Sequence, residues 1–135
     1  LADLPEFYWP VRVYWEDTDA GGVVYYANYL KFLERARTEW LSALGLEQDR
    51  IAAEAGVIFV VRRVEADYLK PARFNDRLSV VSRLVELNRA SLVMKQTIDR
   101  EGESLLNAVV KVACVDQKQF RPAKIPEFIH FAFTH

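Results

Sequence analysis

Two hydrophobic periods run along this chain of 135 residues, and the change from one to the other divides it. Between residues 28 and 44, Tyr29, Phe32, Leu33, Ala36, Trp40, Ala43 and Leu44 recur at spacings of three and four, while Lys31, Arg35, Arg37, Glu39 and Ser42 take the other side. At 3.6 residues per turn these positions form one apolar stripe, so the spacing predicts an amphipathic helix over 28–44. Asn28 suits its N-cap and Gly45 its C-terminal stop. A shorter helix is expected over 47–55, ended by Gly56.

From residue 57 the pattern becomes that of strands rich in β-branched residues: 57–69, 78–87, 91–99 and 105–115. Residues 70–75 hold Pro71 and read as a turn; 88–90 and 100–103 are short links, the second a hairpin turn. Links this short imply antiparallel neighbours, because parallel strands need crossovers of a dozen residues or more. Another strand is expected ahead of the long helix, over 11–16, whose Val-Arg-Val-Tyr-Trp-Glu is β-branched and aromatic. The aromatic stretch 126–133 is expected to pack or to extend a strand. One long helix covers only one face of such a sheet, and strands as apolar as 57–61 and 108–115 would leave a face or edge bare. Burial by a second copy follows as the expectation.

Composition narrows the function classes. The length suits one domain, 1–135, with a core that needs no disulfide staples. A net charge of −1 without a basic stripe gives no reason to expect a nucleic-acid partner. No apolar run is long enough to span a bilayer, and residues 1–7 lack the basic start and apolar stretch of a signal peptide. The single cysteine, Cys114, cannot form an intramolecular disulfide, which favours a reducing, cytoplasmic setting. The two histidines, His130 and His135, stand at the end of the chain and read as surface residues. A Ser-His-Asp triad, a Cys-His pair or a zinc site built on histidine is therefore not expected. Carboxylates and backbone dipoles remain.

They concentrate at residues 17–29, Asp-Thr-Asp-Ala-Gly-Gly-Val-Val-Tyr-Tyr-Ala-Asn-Tyr, where a strand hands over to the helix. The Asp17/Asp19 pair fits magnesium or an aspartyl-phosphate enzyme in principle, but those uses normally sit on parallel α/β sheets. Asp17 can equally satisfy backbone groups of a turn. Gly21 and Gly22 permit close backbone approach, but no Gly-Lys-Ser/Thr follows, so this is not a phosphate loop. What is left is an acid near free N–H groups at a helix start. That arrangement suits attack on, or water delivery to, a carbonyl carbon whose oxygen rests on the helix N-terminus.

Residues 11–29, Val-Arg-Val-Tyr-Trp-Glu-Asp-Thr-Asp-Ala-Gly-Gly-Val-Val-Tyr-Tyr-Ala-Asn-Tyr, running into Phe-Leu-Glu-Arg-Ala-Arg-Thr-Glu at 32–39, closely resemble the hotdog-fold acyl-CoA thioesterases. Two further blocks agree: Val61-Arg-Arg with Asp67-Tyr-Leu-Lys-Pro-Ala-Arg-Phe-Asn-Asp76, and Leu105-Leu-Asn-Ala with Val112-Ala-Cys-Val-Asp116. The likeness is strongest to the subgroup associated with the bacterial Tol-Pal system, related to 4-hydroxybenzoyl-CoA thioesterase. It implies an α+β hotdog fold, a curved antiparallel sheet of about five strands wrapped around one long helix. It also implies a homodimer or homotetramer with the active site at the subunit interface.

By the same resemblance, Asp19 is the catalytic acid, either nucleophile or general base, and the Tyr26 backbone N–H receives the thioester oxygen. Gly22, Val23, Tyr25 and Tyr29 are implied to contact the substrate, an acyl-CoA; no metal and no cofactor beyond the coenzyme A of the substrate is expected. Tyr26 departs from the Tol-Pal-associated pattern, which often has His there, whereas the hydroxybenzoyl-CoA enzymes carry Tyr; a main-chain donor survives that change. Tyr25 and Tyr29 could instead be core, Glu34 a second carboxylate or a surface charge, and Lys70, Arg73, Arg89 and Lys95 either phosphate ligands or solvated cations. Cys114 reads as a small core residue. A hydratase on the same fold would need a histidine in the body of the chain; a non-catalytic acyl-thioester or protein-binding module of an envelope complex is the alternative from another class.

Overall fold

The computed structural model describes residues 6–135. Its order is β1 (Phe7–Arg12), α1 (Asn28–Ala43), α2 (Gln48–Ala55), β2 (Val57–Tyr68), β3 (Arg77–Leu87), β4 (Ser91–Arg100), β5 (Glu103–Asp116) and α3 (Glu127–Thr134). The five strands form one antiparallel sheet in the order β1-β3-β4-β5-β2. The expected α+β class and the five-stranded antiparallel sheet are both present.

Alternation along the strands sets the buried face. Leu78, Val80, Ser82 and Leu84 of β3, Leu92, Met94, Gln96 and Ile98 of β4, and Leu106, Ala108, Val110, Val112 and Cys114 of β5 are all buried. Against them α1 lays Tyr29, Phe32, Leu33, Ala36 and Trp40 of the anticipated stripe, joined by Leu41, while Ala43 is exposed and Leu44 only half-buried, because the helix ends there. α2 ends at Gly56, whose φ of 70° is the left-handed geometry that glycine adopts without a Cβ penalty.

Three local expectations need correction. The first strand is Phe7–Arg12, not 11–16, and Trp15–Asp17 instead forms a 3-10 turn. Pro10 is tolerated because β1 is an edge strand, where a missing ladder donor costs little. Asn28 is the first residue of α1, not its cap: Ala27 holds the cap position, and the Asn28 side chain is engaged elsewhere. The aromatic tail packs, as one expectation held, but as a helix, α3, burying Ile129 and Phe133.

β2 is the other edge of the sheet. Its twelve residues contain no proline, and Val61, Val64 and Tyr68 remain exposed, together with Leu69 just beyond.

Candidate active site

Residues 18–24 fold back as a narrow hairpin, Thr18 bridging Val24. The Asp19 N–H donates to the Val23 carbonyl at 2.9 Å, and the Gly22 N–H returns to the Asp19 carbonyl at 3.0 Å. The Asp19 carboxylate caps the turn, accepting the Gly21 N–H at 2.8 Å, and is otherwise open to solvent. Gly22 has φ 78°, so the tight reversal needs a residue at ease in left-handed space. Buried Val24 anchors the hairpin, its N–H donating to the Ala72 carbonyl at 2.9 Å, while Val23 bridges Arg73.

Asp17 has a different environment. It is buried, its Oδ2 accepts the Tyr14 N–H at 2.8 Å, and its carbonyl accepts both the Tyr25 N–H and the Asn28 side-chain amide at 3.0 Å. These bonds tie the 3-10 turn to the start of α1. Of the two acids, one is a strut and the other is accessible.

Just before α1, the Tyr26 and Ala27 N–H groups have no hydrogen-bond acceptor among the described residues, whereas the neighbouring Tyr25 and Asn28 N–H groups do. Such free donors carry the positive end of the helix dipole. The Tyr26 peptide is steadied from its other side, since the Tyr68 hydroxyl donates to the Tyr26 carbonyl at 3.2 Å. Tyr25, Tyr26 and Tyr68 make an exposed aromatic wall, with ring centroids 4.9 Å and 6.3 Å apart in succession. The Tyr25 phenol is held above its ordinary value, chiefly by the adjacent Tyr26 phenol, with the Asp19 carboxylate adding to the effect.

The remaining expected residues separate. Tyr29 is buried against Tyr68, and its hydroxyl accepts the Ala72 N–H at 2.9 Å, so it positions the junction from below. Lys70 pairs with Glu103; Arg73 reaches the hairpin through its backbone; Arg89 lies in the β3–β4 link and Lys95 on the outward side of β4. Glu34 is exposed on α1, beside a groove that Arg37, Phe59 and Val61 also line. Cys114 is fully buried, and burial pushes its thiol up. His130 lies within α3 and His135 just after it. Two participants escape a reading from motifs alone: Tyr68, and the polar pair Ser82 and Gln96 on the buried sheet face. Alternation along β3 and β4 carries the signal for the pair, since it puts Ser82 and Gln96 among inward positions.

Residues 13–133 match the model of the thioesterase-like superfamily. The chain is 44% identical over 129 residues to the acyl-CoA thioesterase YbgC of Haemophilus influenzae, covering 96% of this chain and 95% of that protein. It is 47% identical over 124 residues to the acyl-CoA thioester hydrolase YbgC of Escherichia coli O6:H1, covering 91% and 92%. Among solved structures, a probable thioesterase from Bartonella henselae superposes with a TM-score of 0.86 at 34% identity, over 90% of this chain and all of that one (100%). A 1,4-dihydroxy-2-naphthoyl-CoA thioesterase from Synechocystis shares the fold alone, at 23% identity, TM-score 0.89 and 96% coverage of both chains. With these likenesses spanning nearly its whole length, the chain belongs to the thioesterase-like superfamily and has the hotdog fold.

Proposed function

We propose that this chain is a single acyl-CoA thioesterase domain that converts an acyl-CoA and water to a free acid and coenzyme A. The observation that carries the reading is the pair formed by an accessible carboxylate, Asp19, and an unpaired N–H, Tyr26, at opposite ends of one hairpin-to-helix junction. The thioester oxygen accepts from the Tyr26 N–H at the positive end of α1. Charge gathering on that oxygen in the transition state strengthens the bond, and one preorganised donor of this kind is worth about 3–4 kcal/mol.

Asp19 supplies the other half, in one of two ways. As nucleophile, its oxygen bonds to the carbonyl carbon and the C–S bond breaks, leaving a mixed anhydride that water then opens. As general base, it takes a proton from a water that attacks the same carbon directly. Either way the sulfur leaves as thiolate and is protonated to the thiol, so an imidazole acid is dispensable. Gly22 and Val23 shape the turn that presents Asp19, and Tyr25 walls the reacting carbon, with Tyr29 beneath. No metal or cofactor enters this scheme.

The working form in this reading is a homodimer or homotetramer. Support comes from the bare β2 edge: β1 is blunted by Pro10, whereas β2 offers unpaired backbone beside exposed Val61, Val64 and Tyr68. We place the protein in the cytoplasm, where a lone buried thiol needs no oxidising surroundings; among the described residues no helix is long and apolar enough to cross a membrane. The first sequence block supports membership of the Tol-Pal-associated subgroup.

Release of free thiol from a panel of acyl-CoAs tests the catalytic assignment. Asp19→Asn is expected to lower kcat about a hundred-fold or more; unchanged turnover would remove Asp19 from the mechanism. Binding without turnover on any acyl-CoA or acyl carrier protein would favour the non-catalytic module. A monomer in light scattering at micromolar concentration would contradict a site shared between subunits.

A further inference from the structure

Two backbone donors stand free at the start of α1, and the carbonyls joined to them are both engaged. The Asn28 N–H donates to the Tyr25 carbonyl at 2.8 Å, while Ala27 stands at φ −72°, ψ −21°. An i to i+3 bond with that geometry at its third residue is a type I turn, so Tyr26 also has helical backbone. The Tyr26 and Ala27 N–H groups therefore point together out of the N-terminal end of α1, and neither has an acceptor among the described residues.

The Tyr26 carbonyl is the less ordinary of the two. In a regular helix start it would accept from the Leu30 N–H, but that group turns to the Ala27 carbonyl at 3.2 Å. Among the described residues no backbone N–H takes its place; the Tyr68 hydroxyl does, at 3.2 Å and from 42 positions along the chain. Tyr68 is the last residue of β2 and pairs with Leu106, and the next two N–H groups, of Leu69 and Lys70, donate to the Leu105 carbonyl at 2.8 and 3.2 Å. Its ring meets those of Tyr26 and Tyr29 edge-on, with centroids 6.3 and 5.6 Å away. The sheet on one side and two rings on the other thus fix the direction from which the hydroxyl comes. All of these contacts lie within one chain, so none depends on what a second copy covers.

We propose that Tyr68 is a positioning residue of the oxyanion site: through the Tyr26 carbonyl it orients and polarises the Ala27 N–H, which joins the Tyr26 N–H in holding the thioester oxygen. The inference rests on the thioesterase reading above. The Tyr26 carbonyl and the Ala27 N–H are the two ends of one peptide group, so a bond received at the oxygen strengthens the donor at the nitrogen, by about 10–30%. The Asn28 bond to the Tyr25 carbonyl does the same for the Tyr26 N–H. A carbonyl oxygen has two lone pairs and gains charge in the transition state, so it accepts both donors without displacing either. Because the added bond grows with that charge, its effect falls on kcat and leaves KM nearly unchanged. Solvent can also bond the Tyr26 carbonyl, but from no fixed direction, whereas the phenol is in place before the substrate arrives.

The test is thiol release, by variants of the whole chain, from an acyl-CoA that the wild type hydrolyses. Tyr68→Phe removes the hydroxyl and keeps the ring contacts; kcat should fall about three- to ten-fold, with KM within about two-fold. Ala27→lactic acid exchanges the N–H for an ester oxygen and keeps the methyl; kcat should fall about a hundred-fold. On that ester backbone Tyr68→Phe should cost nothing more, because the donor it serves is gone. Tyr68→4-aminophenylalanine still donates to the Tyr26 carbonyl and should restore part of the phenylalanine loss, a rescue that ring packing alone does not produce. Thermal melting reports whether each variant folds, and the rescue keeps the test decisive if the ester variant does not. Wild-type kcat in Tyr68→Phe, a loss confined to KM, or equal losses with phenylalanine and 4-aminophenylalanine would overturn the role of Tyr68. Wild-type kcat in the ester variant, or an undiminished effect of Tyr68→Phe upon it, would overturn the second donor. Each of these results leaves hydrolysis by the wild type intact. Hydrolysis of no acyl-CoA would instead refute the thioesterase reading and take this inference with it.

Discussion

Replacing Asp17 by alanine tests whether the two acids of the Asp-Thr-Asp motif have separate tasks. The substitution deletes the acceptor of the Tyr14 N–H, a 2.8 Å bond made by a side chain that is 8% exposed. The Asp17 carbonyl keeps its bonds from Tyr25 and Asn28, so the loss is confined to one partly buried donor next to the 3-10 turn. A buried donor left without a partner costs about 1–3 kcal/mol, and a partly buried one falls in the lower half of that range. For a domain of this size each kcal/mol moves the midpoint by about 3–5 °C, giving a fall in Tm of about 3–10 °C. Asp17→Asn keeps an acceptor but loses the charge, and should lie between wild type and alanine. Asp19→Asn supplies the contrast: the side chain is exposed, its amide oxygen still accepts the Gly21 N–H, and stability should change by less than about 0.5 kcal/mol. Urea titration with a common m-value, alongside calorimetry, measures all three. An Asp17→Ala variant as stable as wild type would refute the assignment of Asp17 as a strut.

Two more predictions concern the supports of the junction. Gly22→Ala meets no steric obstacle, since nothing lies within 4 Å of the added carbon, but φ 78° makes the backbone itself unfavourable by about 1–2 kcal/mol. It should lower the unfolding free energy from urea titration by that amount and reduce thioester hydrolysis further by shifting Asp19; an unchanged midpoint would mean the turn relaxes freely. Asp76 supports the β2–β3 loop that holds Val24: burial raises its carboxyl, but the Arg73 N–H and Arg100 outweigh this and leave it below the ordinary value. A depressed folded-state value contributes stability that is complete above the unfolded value and is lost as pH falls through the folded one. The stability gap between wild type and Asp76→Asn should therefore be constant from neutrality to about pH 5 and close below about pH 4, as read from urea midpoints. A gap independent of pH would refute the charge linkage.

Much of the fold was legible because local rules and the buried pattern agree. The stripe from Tyr29 to Trp40 could only be a helix with one buried side, and the links at 88–90 and 100–103 were too short for anything but antiparallel pairing. Reading failed where a local rule was overruled by position in the sheet. The first strand, expected over 11–16, runs instead over Phe7–Arg12, where Pro10 is accommodated because β1 lies at the edge. Asn28 is a good cap by type, yet its amide is drawn to the Asp17 carbonyl, a bond across eleven positions of chain. In the tail, the aromatic run is compatible with either period, and α3 follows from how Ile129 and Phe133 reach the core.

The motif therefore determined the chemistry available at the junction: one acid within a glycine turn, ahead of a helix with free N–H groups. Residue types alone left open which acid is accessible, although the family resemblance implied Asp19. Asp17 and Asp19 differ by one intervening residue, and only the hairpin formed by Thr18 and Val24 turns one carboxylate inward to Tyr14 and leaves the other outside. Tertiary structure alone likewise brought Arg37 of α1 to Gln96, far along the chain, where Ser82 stands as the hairpin neighbour of Gln96. Helix spacing and strand alternation say which face a residue is on, because they are periodicities of one element. Which side chain it meets there depends on sheet order and register, and those are settled by packing the whole molecule.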